Sequence, residues 1–141
     1  MTDENPNDVI RTKRVEIVDD NGTVRASLGL SDQNNVYLSM SDTSGTRRVL
    51  MSATANFCGL RLNMSDSTET LSMIVQYDGP IISFSDANGV SRMKMHMSEG
   101  YPVISLVRPD GMNIFQIELL PDGTARIQGH GKDHNDHIWP L

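Results

Sequence analysis

Short runs in which apolar and polar residues alternate recur along the chain, each closed by a glycine-containing turn. Four segments share the pattern: VEIVDDNGTVRASL from Val15, LSMSDTSGTRRVLM from Leu38, ISFSDANGVSRMKM from Ile82 and ISLVRPDGMNIFQI from Ile104. The unit is apolar-x-apolar-x-Asp-x-x-Gly-x-x-Arg, with turn glycines at Gly22, Gly45, Gly89 and Gly111. A fifth copy, LRLNMSDSTETLSMIV from Leu60, has Glu69 in the glycine's place, which makes the steps 23, 24, 20 and 22 residues. A final half-unit, LLPDGTARI, carries Gly123 and Arg126. A period of two marks strands with one buried face, because successive side chains leave a strand on opposite sides. The chain is therefore expected to be all-β: an antiparallel meander of about 10–12 short strands, built from hairpin repeats of about 22 residues.

The apolar positions also specify which residues face one another. If Asn21-Gly22, Ser44-Gly45, Asn88-Gly89 and Asp110-Gly111 are two-residue loops, with both central residues at positive φ, every cross-strand pair is apolar. Ile17 then faces Ala26, Val15 faces Leu28, Met40 faces Val49 and Leu38 faces Met51. The same rule pairs Phe84 with Met93, Ile82 with Met95, Leu106 with Phe115 and Ile104 with Ile117. A three-residue loop with a glycine bulge would instead set Arg25 against Ile17, Arg48 against Met40 and Arg92 against Phe84. A one-residue slip exchanges the two faces of a strand, so burial favours the two-residue loop. Between units, SDQNN, ATANFCG, QYDGP and SEGYP read as looser turns.

On this register the buried face is Val15, Ile17, Ala26, Leu28, Leu38, Met40, Val49, Met51, Leu62, Met64, Leu71, Met73, Val75, Ile82, Phe84, Met93, Met95, Met97, Ile104, Leu106, Phe115 and Ile117. Seven of the 9 Met lie on it, while aromatics make up only 5% of the chain, so the expected core is adaptable rather than aromatic. Such a face must be buried by closure into a barrel, by folding into a sandwich, or against other subunits. The opposite face carries alternating serines. Arg25, Arg48, Arg92 and Arg126 stand three residues after their turn glycines, and Asp19, Asp42, Asp66 and Asp86 stand just before the turns. Those Asp are expected to cap turn amides and those Arg to find carboxylates nearby; the competing role is a row of Arg capturing anions.

Composition narrows the function classes. The 141 residues amount to one domain, with a net charge of −6 and a single cysteine. An acidic balance argues against nucleic acid as a partner. One cysteine excludes an internal disulfide or a multi-Cys zinc site. Neither a membrane-spanning run nor a signal peptide is legible, so no membrane association is expected and a cytoplasmic location is. The chain divides into a flexible segment 1–10, the hairpin domain 11–128 and an irregular tail 129–141.

Candidate chemistry is sparse. His130, His134 and His137, with Asp133, crowd the tail GHGKDHNDHIWPL; they are candidate catalytic residues and candidate ligands for a divalent metal, the one cofactor such a set would take, with Trp139 as the tail's apolar anchor. His96 lies between Met95 and Met97 and is expected on the polar face. Cys58 is placed in an inter-unit loop as a structural thiol. Met51, Met73, Met93 and Met95 are the candidate lining of an apolar small-molecule site inside a barrel. No phosphate-binding glycine loop or nucleophile elbow is present.

The units IVDDNGTVRASLGL, LSMSDTSGTRRVLM and ISFSDANGVSRMKM resemble a recurring element of uncharacterised bacterial proteins, which repeat apolar-x-apolar-x-Asp-x-x-Gly-x-x-Arg-x-x-Leu. The likeness covers about residues 14 to 128, and Glu69 for Gly and Arg108 for Asp depart from it. It implies a hairpin-repeat fold and no catalytic residues. The expected function is a non-enzymatic structural or interaction module. The alternatives are a barrel binding an apolar small molecule, or a small enzyme using the tail histidines. Two open sheet edges predict self-association, as a cyclic homo-oligomer with a contact near Leu60 to Val75.

Overall fold

The computed structural model describes residues 10–64, 69–130 and 136–140. Twelve strands form one antiparallel sheet in strict sequence order: β1 Arg14–Val18, β2 Val24–Leu30, β3 Val36–Ser41, β4 Arg47–Ala53, β5 Phe57–Asn63, β6 Glu69–Gln76, β7 Gly79–Ser85, β8 Ser91–Ser98, β9 Tyr101–Val107, β10 Asn113–Leu119, β11 Ala125–His130 and β12 Asp136–Pro140. Each strand touches only its neighbours in sequence, and β1 and β12 are not paired with each other. The meander is thus an open single layer, not a barrel. Two stretches depart from the expected boundaries. The chain from 129 was expected to be irregular, yet it completes β11 and supplies β12. Cys58 belongs to β5, not to a loop.

All eight apolar pairs stand as the sequence predicts, from Val15 opposite Leu28 to Ile104 opposite Ile117. The turns that produce them are different. The Gly22 amide bonds the Asp19 carbonyl at 2.9 Å, and the Asp19 amide bonds the Thr23 carbonyl at 3.0 Å. Gly22 lies at φ +78°, while Asn21 has no positive φ. This is the three-residue loop with a glycine bulge. Its one-residue offset is then undone by a second bulge: Val18 faces Val24 but Ile17 faces Ala26, leaving Arg25 as the extra residue. Arg48 and Arg92 are extra in the same way. Two offsets restore the parity that one would have destroyed, so the apolar pairs survive a turn that seemed to forbid them. The true two-residue loop with both φ positive occurs at Glu99-Gly100 (φ 51° and 88°), at the opposite end of the sheet.

Register also corrects the degraded repeat. Glu69 is not at the glycine's place; it opens β6 opposite Asn63, the position that Arg47 and Ser91 hold in their hairpins. The equivalent turn position is 67, two residues before Glu69 as Gly45 is two before Arg47, and so 22 residues from both Gly45 and Gly89. That position lies outside the described residues.

The expected core is not buried within the chain. Val15, Ile17, Leu28, Met40, Met51, Met73, Val75, Phe84, Met95 and Leu106 are all exposed, Met51 by 48%. Among the described residues, those that are buried are Ser27, Ser72, Ser105, Val103 and Val107, all on the opposite face. With no second layer, burial is decided by side-chain length. Short serines sink below longer neighbours: Ser72 lies beside Arg61, and Ser105 beside Lys94 and Gln116. Ser27 and Ser39 hydroxyls share a 2.9 Å hydrogen bond, as do Ser72 and Ser83 at 2.7 Å, so these polar groups are satisfied where they are covered.

Candidate functional site

The hairpin ends carry the most regular chemistry, and it is structural. In the first hairpin Asp19 Oδ1 accepts the amides of Asn21 and Thr23, both at 3.0 Å. Asp42 does the same for Ser44 (2.9 Å) and Thr46 (3.1 Å), and Asp86 for Asn88 (2.9 Å) and Val90 (3.1 Å). The second carboxylate oxygen meets the bulged arginine. Arg48 Nε donates to Asp42 Oδ2 at 2.6 Å, and Arg48 Nη1 donates to the Met64 carbonyl on β5's outgoing chain. Arg25 and Arg92 stand farther from Asp19 and Asp86, at 3.8 and 3.9 Å. A strand at a bulge must re-aim one side chain, and here the arginine is aimed at the turn it follows.

The hydroxyl of Ser44, helped by Arg48 and the two amides, holds the Asp42 carboxyl down to about 2 against its partial desolvation. The Thr124 hydroxyl and amide lower Asp122 in the same direction. Arg126 belongs to a different arrangement. Its hairpin has no second bulge, and it pairs across the ladder with Glu118, whose Oε1 accepts from Nε at 2.6 Å. Arg25 and Arg48 stand two strands apart, roughly 9–10 Å, and Arg48 and Arg92 four strands apart, roughly 19 Å; each faces its own carboxylate. A shared anion cradle is therefore not assembled.

The apolar face is the larger feature. Cross-strand partners join into rows that run the width of the sheet. One row is Val15, Leu28, Leu38, Met51, Leu60, Met73, Ile82, Met95, Ile104, Ile117 and Ile127, ending at the register position of Trp139. The next runs from Ile17 through Ala26, Met40, Val49, Leu62, Leu71, Phe84, Met93 and Leu106 to Phe115. A third includes Leu30, Val36, Ala53, Cys58, Val75, Pro80, Met97 and Pro102. None of these residues carries a formal charge. Val75 and Met97 of this row are on the apolar face by sequence alternation alone; Ala53 and Cys58 fall in ATANFCG, which reads as a turn, and the signal that extends the strand there is the continued alternation Cys58, Leu60, Leu62.

Of the proposed ligand-lining residues, Met51, Met73 and Met95 share one row, and Met93 is in the adjacent row of the same face. They line no interior, because the open sheet encloses none. The face is instead grooved. A groove of about 570 Å³ runs beside Leu28, Leu38, Met51 and Leu60, and one of about 260 Å³ beside Ile82, Met95, Met97 and Ile104. Cys58 is an exposed free thiol on this face. His96 stands on the polar face, as the alternation requires, opposite Ile81 and Val103.

The tail candidates Asp133 and His134 lie outside the described residues. His130 and His137 hold backbone register positions opposite Asp136 and Gly129, in alternate rows of the last ladder. Among the described residues, no three His, Cys, Asp or Glu side chains are grouped as a metal site would require. No helix of the described residues is long and apolar enough to cross a membrane. Comparison with known proteins finds no family model that matches the chain and no curated protein similar to it in sequence.

Proposed function

We propose that this protein is a non-enzymatic structural or interaction module whose working part is the apolar face of the sheet. The observation that carries the reading is the set of apolar rows, about half of whose large side chains are exposed in the isolated chain. Contiguous apolar surface on this scale marks a place where something docks. The regular chemistry of the molecule, its Asp–Arg turn locks, is committed to holding hairpins together, which suits a scaffold. The lone unpaired thiol and acidic composition fit a cytoplasmic setting.

Solution mass and binding of an apolar fluorescent dye, read together, test the proposal. The face must be either covered, giving a mass above the 15.6 kDa of one chain, or open, giving strong dye fluorescence. A 15.6 kDa species that leaves the dye dark refutes it.

A further inference from the structure

The occupant of the apolar face can be argued from its area and its pattern. A folded monomer of 15.6 kDa exposes roughly 7,200 Å² on the usual scaling of surface with mass. This chain exposes 10416 Å², an excess of about 3,000 Å² over that scaling. Obligate subunit interfaces remove about 2,000–5,000 Å² in total, shared between two partners. The excess belongs to both faces and the ends of an open sheet, and it is as large as a whole ordinary interface; one face can therefore supply a partner's share of about 1,000 Å² or more, far beyond what a small molecule in a groove would cover.

The pattern then selects among macromolecular partners. The rows offer no charge for a charged partner to read, so complementarity must come from shape and apolar contact. A fitting surface must be equally long, uncharged and ridged at the strand spacing. The face itself has these properties. Its near-22-residue repeat lets two copies meet in matching register at every second strand. Packing them together also leaves both serine- and arginine-bearing faces outward, which is the two-layer solution a single sheet lacks.

We infer that the apolar face is covered by the same face of further copies of this chain, which makes the folded protein an obligate homo-oligomer. The inference rests on the docking reading above and specifies its partner. Burial extends to Cys58, which lies in the third row between Ala53 and Val75 and is exposed in the single chain. Pairing through the free edges β1 and β12 would also give an oligomer, but it would leave that thiol open to reagent.

The test uses the full-length protein purified alone, at about 10 µM and in a dilution series. Sedimentation gives the mass, and a maleimide gives the labelling rate of Cys58 against the urea-unfolded chain. The expected result is a single-component oligomer, dark to apolar dye, with Cys58 labelling slowed about a hundredfold. Met73→Lys, at the centre of the face, is expected to raise the concentration of half-dissociation by tenfold or more, while Lys94→Ser on the polar face leaves it unchanged. Should Met73→Lys fail to fold, the unsubstituted protein's thiol protection still decides. An oligomer with freely reactive Cys58 overturns the face-to-face assignment. A monomer that binds dye overturns self-association but leaves the docking reading standing, and a monomer that does not bind dye overturns both.

Discussion

Gly59 is the position where one methyl group should matter most. It sits in β5, on the face opposite the apolar rows, between Ser52 and Ile74. A Cβ built there would lie 2.5 Å from the Met73 carbonyl oxygen and 3.1 Å from the Ile74 Cα. Both obstacles are backbone of the adjacent strand, held in a ladder on both sides, so neither can swing away as a side-chain tip would. Gly59→Ala must therefore push β5 and β6 apart locally and stretch their hydrogen bonds.

Overpacking of this kind costs about 1–3 kcal/mol, and the backbone identity of the clash puts the expectation at the upper end, roughly 2–3 kcal/mol. For a chain of this size that is a fall in Tm of about 6–12 °C. Gly29→Ala is the internal control. Its Cβ would meet Lys13 carbonyl oxygen at 3.0 Å and Arg14 side-chain carbons at 3.1–3.2 Å. That neighbour is the edge strand, whose chain can give, so a loss of about 1 kcal/mol or less is expected. The assay is thermal unfolding by circular dichroism at one fixed chain concentration, since association makes Tm concentration-dependent. A Gly59→Ala protein melting within about 2 °C of the parent would refute the close approach of β5 and β6.

Gly45→Ala is expected to destabilise by about 1–2 kcal/mol through its φ of +86° alone, because the space around it is empty; Gly45→Asn should recover much of that loss, and equal losses would point to a cause other than backbone conformation. Asp42→Asn tests the turn lock through pH. The folded-state carboxyl titrates near 2, below its ordinary value of 3.8, so the folded form holds fewer protons than the unfolded between these values. The lock's contribution is complete above pH ~4 and lost as pH falls through ~2. The variant should be less stable than the parent at pH 7 and indistinguishable from it at the acid end, and a pH-independent difference would remove the charge argument. For the buried hydroxyl pair, Ser72→Ala and Ser83→Ala should each cost about 1 kcal/mol, and the double variant less than their sum, because the second change no longer orphans a partner. Strict additivity in denaturant unfolding would contradict the 2.7 Å bond.

Strand order and the facing residues follow from the residue pattern alone. Alternation assigns each side chain to a face, a short connection forces neighbours in sequence to pair, and only one parity sets Leu38 against Met51 and Ile82 against Met95. Turn anatomy was not legible in the same way. The glycine bulge and the bulge at Arg25, Arg48 or Arg92 shift register by one residue each and cancel, so counting from the apolar pairs cannot reveal either. Glu69 was misplaced for a simpler reason: position 67 lies 22 residues from both Gly45 and Gly89 but carries no glycine to mark the turn. Assignment of ATANFCG as loop hid Cys58, although its alternation with Leu60 continues the strand. Whether the sheet closes, and which face a single chain covers, is settled only in three dimensions. Closure depends on where β1 and β12 stand after eleven successive strand pairings, and no local pattern encodes that sum. In the open sheet no layer lies over the methionines, so the short serines among long neighbours become the buried residues and the apolar rows are left for another surface to cover.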